Sequence, residues 1–184
     1  MDCIETSRLL LVPVSMKNFE ARSVISGDAE NTRFMMFLPV TSEENRAYIE
    51  KCEAEWQCKK QNVFEFDILL KSESNKFIGG ISVELQNINS HLVKIFGNKT
   101  ADIGWIIDKK YWNQGFVTEA AFAVLEFAKT LGVKKVVAQC DSENIGSWRV
   151  MEKIGMKRYS DNGIRYNKQN PDVKRIEFMY VIDL

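Results

Sequence analysis

An apolar run from Ile103 to Ile107 leads into Tyr111-Trp112-Asn113-Gln114-Gly115-Phe116-Val117-Thr118-Glu119-Ala120, which opens a helix reaching to about Leu131. A strand that turns through a glycine into a helix leaves several backbone N–H groups at the turn without intrahelical partners. Together with the positive end of the helix dipole, those donors form a binding place for phosphate or another anion. The turn has no Lys-Ser/Thr pair and no three-glycine fingerprint, so it is neither a nucleotide P-loop nor a dinucleotide site. A different phosphorylated cofactor is expected.

The flanking pattern says what kind of sheet this unit joins. Arg8 to Pro13 reads as a first strand and Met16 to Val24 as a weak helix, with a loop through Gly27, Asp28 and Asn31 to Pro39. Thr41-Ser42-Glu43-Glu44 has the form of a capping box, and Tyr48, Ile49, Cys52 and Trp56 recur at helical spacing, so a helix is expected over Ser42 to about Lys60. Val63 to Leu70 and Phe77 to Leu85 read as strands joined by a polar turn. In the helix after the glycine turn, Ala121, Val124, Leu125 and Ala128 share a face, and Gly132 is placed to end it. Val133 to Cys140 is a strand. Asn144 caps a short helix ending at Gly155, and Lys157 to Tyr159 and Arg175 to Ile182 are closing strands. The order implies an α/β fold, a mixed sheet flanked by helices, in which the strands before and after the central helix run parallel.

Length and composition set outer bounds. A chain of 184 residues is expected to be a single domain burying roughly 70% of its unfolded surface. Lys plus Arg equal Asp plus Glu at 25 each, so no global field recruits nucleic acid or an anionic membrane. The N-terminus lacks a basic flank and an apolar run, and no stretch approaches the roughly 20 apolar residues of a membrane helix, so a soluble cytoplasmic protein is expected. Cys3, Cys52, Cys58 and Cys140 are scattered, and His91 is the single histidine, in a polar segment that reads as a loop. A His/Cys metal site and a histidine-based hydrolase are both disfavoured.

Three stretches in order carry a resemblance over nearly the whole chain. They are Glu5-Thr6-Ser7-Arg8-Leu9-Leu10-Leu11, then Ala101-Asp102-Ile103-Gly104-Trp105 with the glycine turn, then Asn144-Ile145-Gly146-Ser147-Trp148-Arg149-Val150-Met151-Glu152-Lys153-Ile154-Gly155-Met156. The chain resembles the GNAT superfamily of acyl-CoA-dependent N-acetyltransferases, in the branch containing the ribosomal-protein N-terminal acetyltransferases. The resemblance implies a twisted mixed sheet of about seven strands with about four helices and one splayed parallel pair. It also implies acetyl-CoA as cosubstrate, no metal, and a primary amine as acceptor, either a protein N-terminus or a small molecule.

Residue by residue, the resemblance implies that backbone N–H groups of Asn113, Gln114, Gly115, Phe116, Val117 and Thr118 hold the pyrophosphate of coenzyme A. The backbone of Ile106 and Ile107 would pair with the pantetheine arm and acetyl carbonyl, and Asn144 and Ser147 would be polar contacts near the sulfur. Asn113 and Val117 depart from the glycine and alanine more usual there, yet any residue except proline keeps the N–H, and asparagine tolerates a left-handed backbone. Met151 stands where many members place a proton-donating tyrosine, which leaves Ser147, Tyr159, Tyr166 or a water as donor to the thiolate. Glu84 and Asp102 are the carboxylates to test as the base that deprotonates the amine.

Other readings compete at this stage. One is a non-catalytic acyl-CoA-binding regulatory module, and another is a generic phosphate-binding fold. Arg33-Phe34-Met35-Met36-Phe37-Leu38 is apolar enough to be a lid or a homodimer contact. Trp56 and Trp148 read as packing residues, while the family resemblance implies that Trp105 lines the acceptor channel.

Overall fold

The computed structural model describes residues 3–37, 39–167 and 170–184. In chain order the elements are β1 (Ile4–Glu5), β2 (Leu9–Pro13), α1 (Phe19–Gly27), α2 (Ala29–Thr32), α3 (Ser42–Trp56), β3 (Val63–Leu70), β4 (Lys76–Leu85) and α4 (His91–Phe96). They continue with β5 (Thr100–Ile107), α5 (Phe116–Thr130), β6 (Lys135–Asp141), α6 (Ile145–Lys153), β7 (Lys157–Asn167) and β8 (Asn170–Asp183). The strands form one sheet in the order β1-β2-β3-β4-β5-β6-β8-β7.

Neighbouring strands are antiparallel except β5 and β6, which α5 joins in the parallel sense expected of a crossover. That parallel pairing covers only Thr100↔Lys135, Ala101↔Val136 and Asp102↔Val137. Past Asp102 the two strands part. β5 stays paired with β4 as far as Gly79↔Ile107, and β6 stays paired with β8 as far as Asp141↔Glu177. The backbone from Ile103 to Ile107 therefore has an open edge inside the sheet, where unpaired donors and acceptors ordinarily demand a partner.

Packing explains why the opening is stable. Ala120, Ala121, Val124, Leu125, Phe127 and Ala128 of α5 are buried against the sheet, joined by Ile81, Val83, Ala101 and Ile103 from β4 and β5. Phe127 meets Phe64 and Phe66 edge-on at 5.2 and 5.5 Å, and Trp56 meets the same two rings from the other side at 5.5 and 5.2 Å. Edge-to-face pairs of this kind each add about 0.5–1.5 kcal/mol beyond area burial. Gly132, with φ of 77°, turns the chain out of α5 as expected.

The opposite face of β3 is fixed by charge. Arg22 of α1 is buried and bonds Asp67 at 2.7 Å and Glu65 at 3.0 Å. Burial opposes its charge, and the two carboxylates outweigh burial and hold it protonated. The guanidinium fits because Gly80 lacks a side chain: a Cβ there would lie 2.8 Å from an Arg22 nitrogen.

The expected outline holds, with local differences. The sheet has eight strands because Ile4–Glu5 pairs with Leu10–Leu11. The first helix is a 3₁₀ turn over Met16–Asn18 followed by α1, and α3 stops at Trp56. The Gly27–Pro39 stretch contains α2, whose first N–H groups are accepted by the Asp28 carboxylate. The polar connection after β4 contains α4, capped by Ser90, so exposed His91 begins a helix rather than lying in a loop. β7 runs well past Tyr159. Its polar residues Ser160 to Gly163 resemble a turn, but β8 supplies a template and bulges absorb the irregularity. Of the apolar segment 33–38, Leu38 lies outside the described residues. Among the described residues no helix is long and apolar enough to cross a membrane.

Candidate active site

Three features converge at the opening of the sheet. The first is the glycine turn. Asn113 and Gly115 both have left-handed backbone, φ 60° and 79°, which reverses the chain between the end of β5 and the start of α5. Gly115 is the N-cap and supplies no side chain to the first turn of α5, so the N–H groups there keep their positive face.

An arginine that sequence reasoning matched only as part of a motif holds this turn in place. Arg8 donates from Nε to Glu119 Oε2 at 2.6 Å and from a terminal nitrogen to the Gln114 carbonyl at 3.0 Å, and it lies 4.4 Å from the centre of the Phe116 ring. The Thr6 hydroxyl and the Arg8 backbone N–H donate to Glu119 Oε1 at 2.6 and 2.8 Å. Burial opposes the Glu119 charge, and these bonds outweigh it and hold the carboxyl below its usual range. The Thr6–Arg8 and Thr118–Glu119 motifs are thus two halves of one clamp. Their separation of more than 100 residues hid the contact from sequence reasoning.

The second feature is the open edge of β5. Its end is held to β4 by Asp108 N–H donating to the Ile78 carbonyl at 2.9 Å, and Trp112 Nε1 donates to the Ile107 carbonyl at 3.0 Å. Ile106 is half-buried and Ile107 buried. Across the opening, Asn144 caps α6 by accepting from the Ser147 N–H at 3.2 Å. Ser147 lies beside the Cys140 thiol, which burial pushes up to about 12. Met151 is fully buried in the main core. Tyr159 is 55% exposed with its ring on Phe96, and Tyr166 is 60% exposed.

The third feature is a carboxylate pair at the apex. Asp102, the last residue of the parallel ladder, stands directly opposite Glu84 on β4. Burial pushes the Asp102 carboxyl up to about 7, the charges of Glu84 and Glu177 add to the rise, and Arg165 opposes it. A base poised near neutrality is what deprotonation of an amine requires. Glu177 and Arg165 were not singled out in the sequence. Glu177 Oε1 accepts from Gln139 at 3.2 Å and Oε2 from Arg165 at 2.8 Å. Only the register of the β7–β8 hairpin brings them here. The one available signal was a charged residue alternating with apolar ones in the closing strand.

The segment 28–37 spans this region. Lys109 N–H donates to Asn31 Oδ1 at 2.8 Å beyond the end of β5, and the Phe34 carbonyl accepts from Arg165 at 3.4 Å on β7. Among the described residues, no group of three or more His, Cys, Asp or Glu side chains could hold a metal ion, and the four cysteines are free thiols.

A mixed sheet whose single parallel pair opens beside an uncapped helix N-terminus is the architecture of an N-acyltransferase. The chain belongs to the acetyltransferase (GNAT) domain family, which matches residues 8–157. It is 33% identical over 158 residues to a protein described as the uncharacterized N-acetyltransferase YnaD of Bacillus subtilis, covering 84% of this chain and 82% of that one. A GNAT-family acetyltransferase from Bacillus anthracis superposes with a TM-score of 0.80 at 28% identity over 98% of both chains. The RimL ribosomal L7/L12 α-N-protein acetyltransferase, solved with coenzyme A, shares the fold with a TM-score of 0.82 at 17% identity, covering 100% of this chain and 98% of that one. Acetyl transfer is the chemistry of this family.

Proposed function

We propose that this protein moves the acetyl group of acetyl-CoA to a primary amine by direct attack, without a covalent enzyme intermediate. The observation that carries the reading is the open β5 edge, Ile103 to Ile107, lying next to the uncapped start of α5. An extended amide-bearing arm pairs with such an edge as a strand does, and its diphosphate meets the N–H groups of Asn113 to Thr118. Backbone N–H groups around Ile106 and Ile107 stabilise the developing oxyanion. Asn144 and Ser147 face the sulfur from across the opening, and Ser147 is the proton donor to the departing thiolate.

Asp102 is the base. It accepts a proton from the acceptor's ammonium, directly or through a water, to leave the neutral amine that attacks, and burial, with the charge of Glu84 beside it, holds its carboxyl at about 7. Holding both substrates side by side supplies much of the acceleration, since positioning alone contributes roughly 7–11 kcal/mol. A regulatory module that only senses coenzyme A has no use for such a carboxylate.

The test is thiol release from acetyl-CoA with a panel of amines that includes alanine- and serine-initiated peptides, polyamines and aminoglycosides. Amine-dependent release supports the transferase reading, and no release with any amine contradicts it. Calorimetric titration with coenzyme A against ATP separates a specific carrier site from a generic phosphate site, with tighter coenzyme A binding expected. In the same titration Arg8→Ala should weaken coenzyme A by about tenfold, because hydrogen bonds to charged groups are worth about 1.5–3 kcal/mol and these hold the turn. Unchanged affinity would show that the clamp does not shape the site.

A further inference from the structure

The face of the sheet that holds Asp102 carries arginines that the proposed chemistry leaves unused. Ala101 and Ile103 of β5, and Val136, Ala138 and Cys140 of β6, pack in the α5 core. Strand alternation therefore puts Asp102, Gln139 and Asp141 on the other face. Glu177 stands opposite Asp141, and Arg175, two residues away on the same face of β8, stands opposite Arg165 on β7. The hairpin thus delivers two guanidiniums to the face that holds Asp102.

Both guanidiniums have a buried Nε without a hydrogen-bond partner among the described residues, but only that of Arg175 has a carboxylate oxygen close by. Arg175 is engaged by Glu143 and by Asp141, whose Oδ2 lies 3.4 Å from its Nε. Arg165 is 8% exposed; it donates to Glu177 at 2.8 Å and to the Phe34 carbonyl at 3.4 Å. Its Nε–H is buried and has no hydrogen-bond partner among the described residues. Buried donors are ordinarily satisfied, so this one points to a ligand atom that accepts.

Charge decides the kind of atom. Among the described residues the carboxylates of Glu84, Asp102, Asp141, Glu143 and Glu177 outnumber the guanidiniums of Arg165, Arg175 and Arg33, the last stacked on the Phe34 ring that Arg175 also meets, so a free carboxylate is repelled and an ammonium attracted. Building on the transferase reading above, we propose that Arg165 determines acceptor specificity. Its Nε–H takes an uncharged oxygen, an amide carbonyl or a hydroxyl, carried within a few bonds of the amine that Asp102 and Glu84 receive.

Four amines on one skeleton test this: alaninamide, alaninol, alanine and isopropylamine, compared by kcat/KM for thiol release at equal free-amine concentration. The wild type is expected to favour alaninamide or alaninol over both alanine and isopropylamine by at least tenfold, and the better of the two identifies the oxygen. R165K keeps the charge facing Glu177 but removes Nε, and should shrink that ratio to about threefold or less. Equal use of isopropylamine and the oxygen-bearing amines by the wild type overturns the proposal without any variant, as does an R165K ratio equal to that of the wild type. Turnover with none of the four also overturns it, and the wider amine panel then tells whether the transferase reading falls with it.

Discussion

Asp102→Asn is expected to lower kcat/KM by about 10²- to 10⁴-fold, the usual contribution of a positioned general base. In the wild type the base works only when ionised, so kcat/KM should rise with pH through about 7, where burial and the charges of Glu84 and Glu177 place the Asp102 carboxyl. Asparagine removes that limb of the profile. Glu84→Gln takes away one negative neighbour and should move the limb to lower pH while keeping it. A profile unchanged in both variants would exclude this pair as the proton acceptor.

The same group makes an opposite prediction for stability. Its folded pKa lies above the unfolded value of about 3.9, so the native state binds more protons between the two, and Asp102 lowers stability progressively as pH rises from about 4 to 7. Above pH 7 the ionised carboxylate is the less stable form in its place. Asp102→Asn should therefore raise Tm at pH 8 by about 3 °C or more, given roughly 2–4 °C per kcal/mol for a chain of this size, with little change at pH 4. A melting curve at each pH checks this. A variant that loses activity while gaining stability marks a group kept for chemistry rather than for folding.

Gly79→Ala should be the most damaging single methyl in the sheet. Gly79 pairs with Ile107, and a Cβ built there lies 2.4 Å from the Ile106 carbonyl oxygen and 2.8 Å from the Ile107 Cα. Both are backbone atoms, so neither can swing aside, and the strand must shift. Overpacking of this kind costs about 1–3 kcal/mol or more, so Tm should fall by about 5 °C or more. The displaced residues are those proposed to receive the acetyl carbonyl, and misplacement by about 1 Å can cost 10²-fold in turnover. Gly104→Ala is the control: its Cβ would meet only Ser82 Oγ at 3.7 Å, an ordinary contact, and Tm should stay within about 2 °C. Similar losses in the two variants would refute the close-approach argument.

What could be read before the structure was whatever depends on neighbours in sequence. The Thr41–Glu44 capping box, the Asn144 cap, the left-handed Asn113 and the exit at Gly132 all appear where local chemistry put them. The buried face of α5 follows from its 3.6-residue period. Asp102 and Glu84 were chosen from their strand positions, and the sheet does bring them opposite each other. The short elements α2 and α4 escaped notice because a helix of four or six residues has too few turns to show a period.

The chain order of strands and helices, with the turn at Gly115, determined by itself a mixed sheet with one parallel crossover, because periodicity, capping and the crossover rule act locally or between consecutive elements. Tertiary structure alone decided that Arg8 clamps Glu119, that burial and neighbouring carboxylates push the Asp102 carboxyl up to about 7, and that Arg165 and Glu177 stand on the face of the sheet that holds Asp102. Each of these rests on strand register or on burial between segments far apart in the chain. A register shift of one residue would turn Asp102, Arg165 and Glu177 to the opposite face, and nothing in the local sequence of a strand states which residue it will meet.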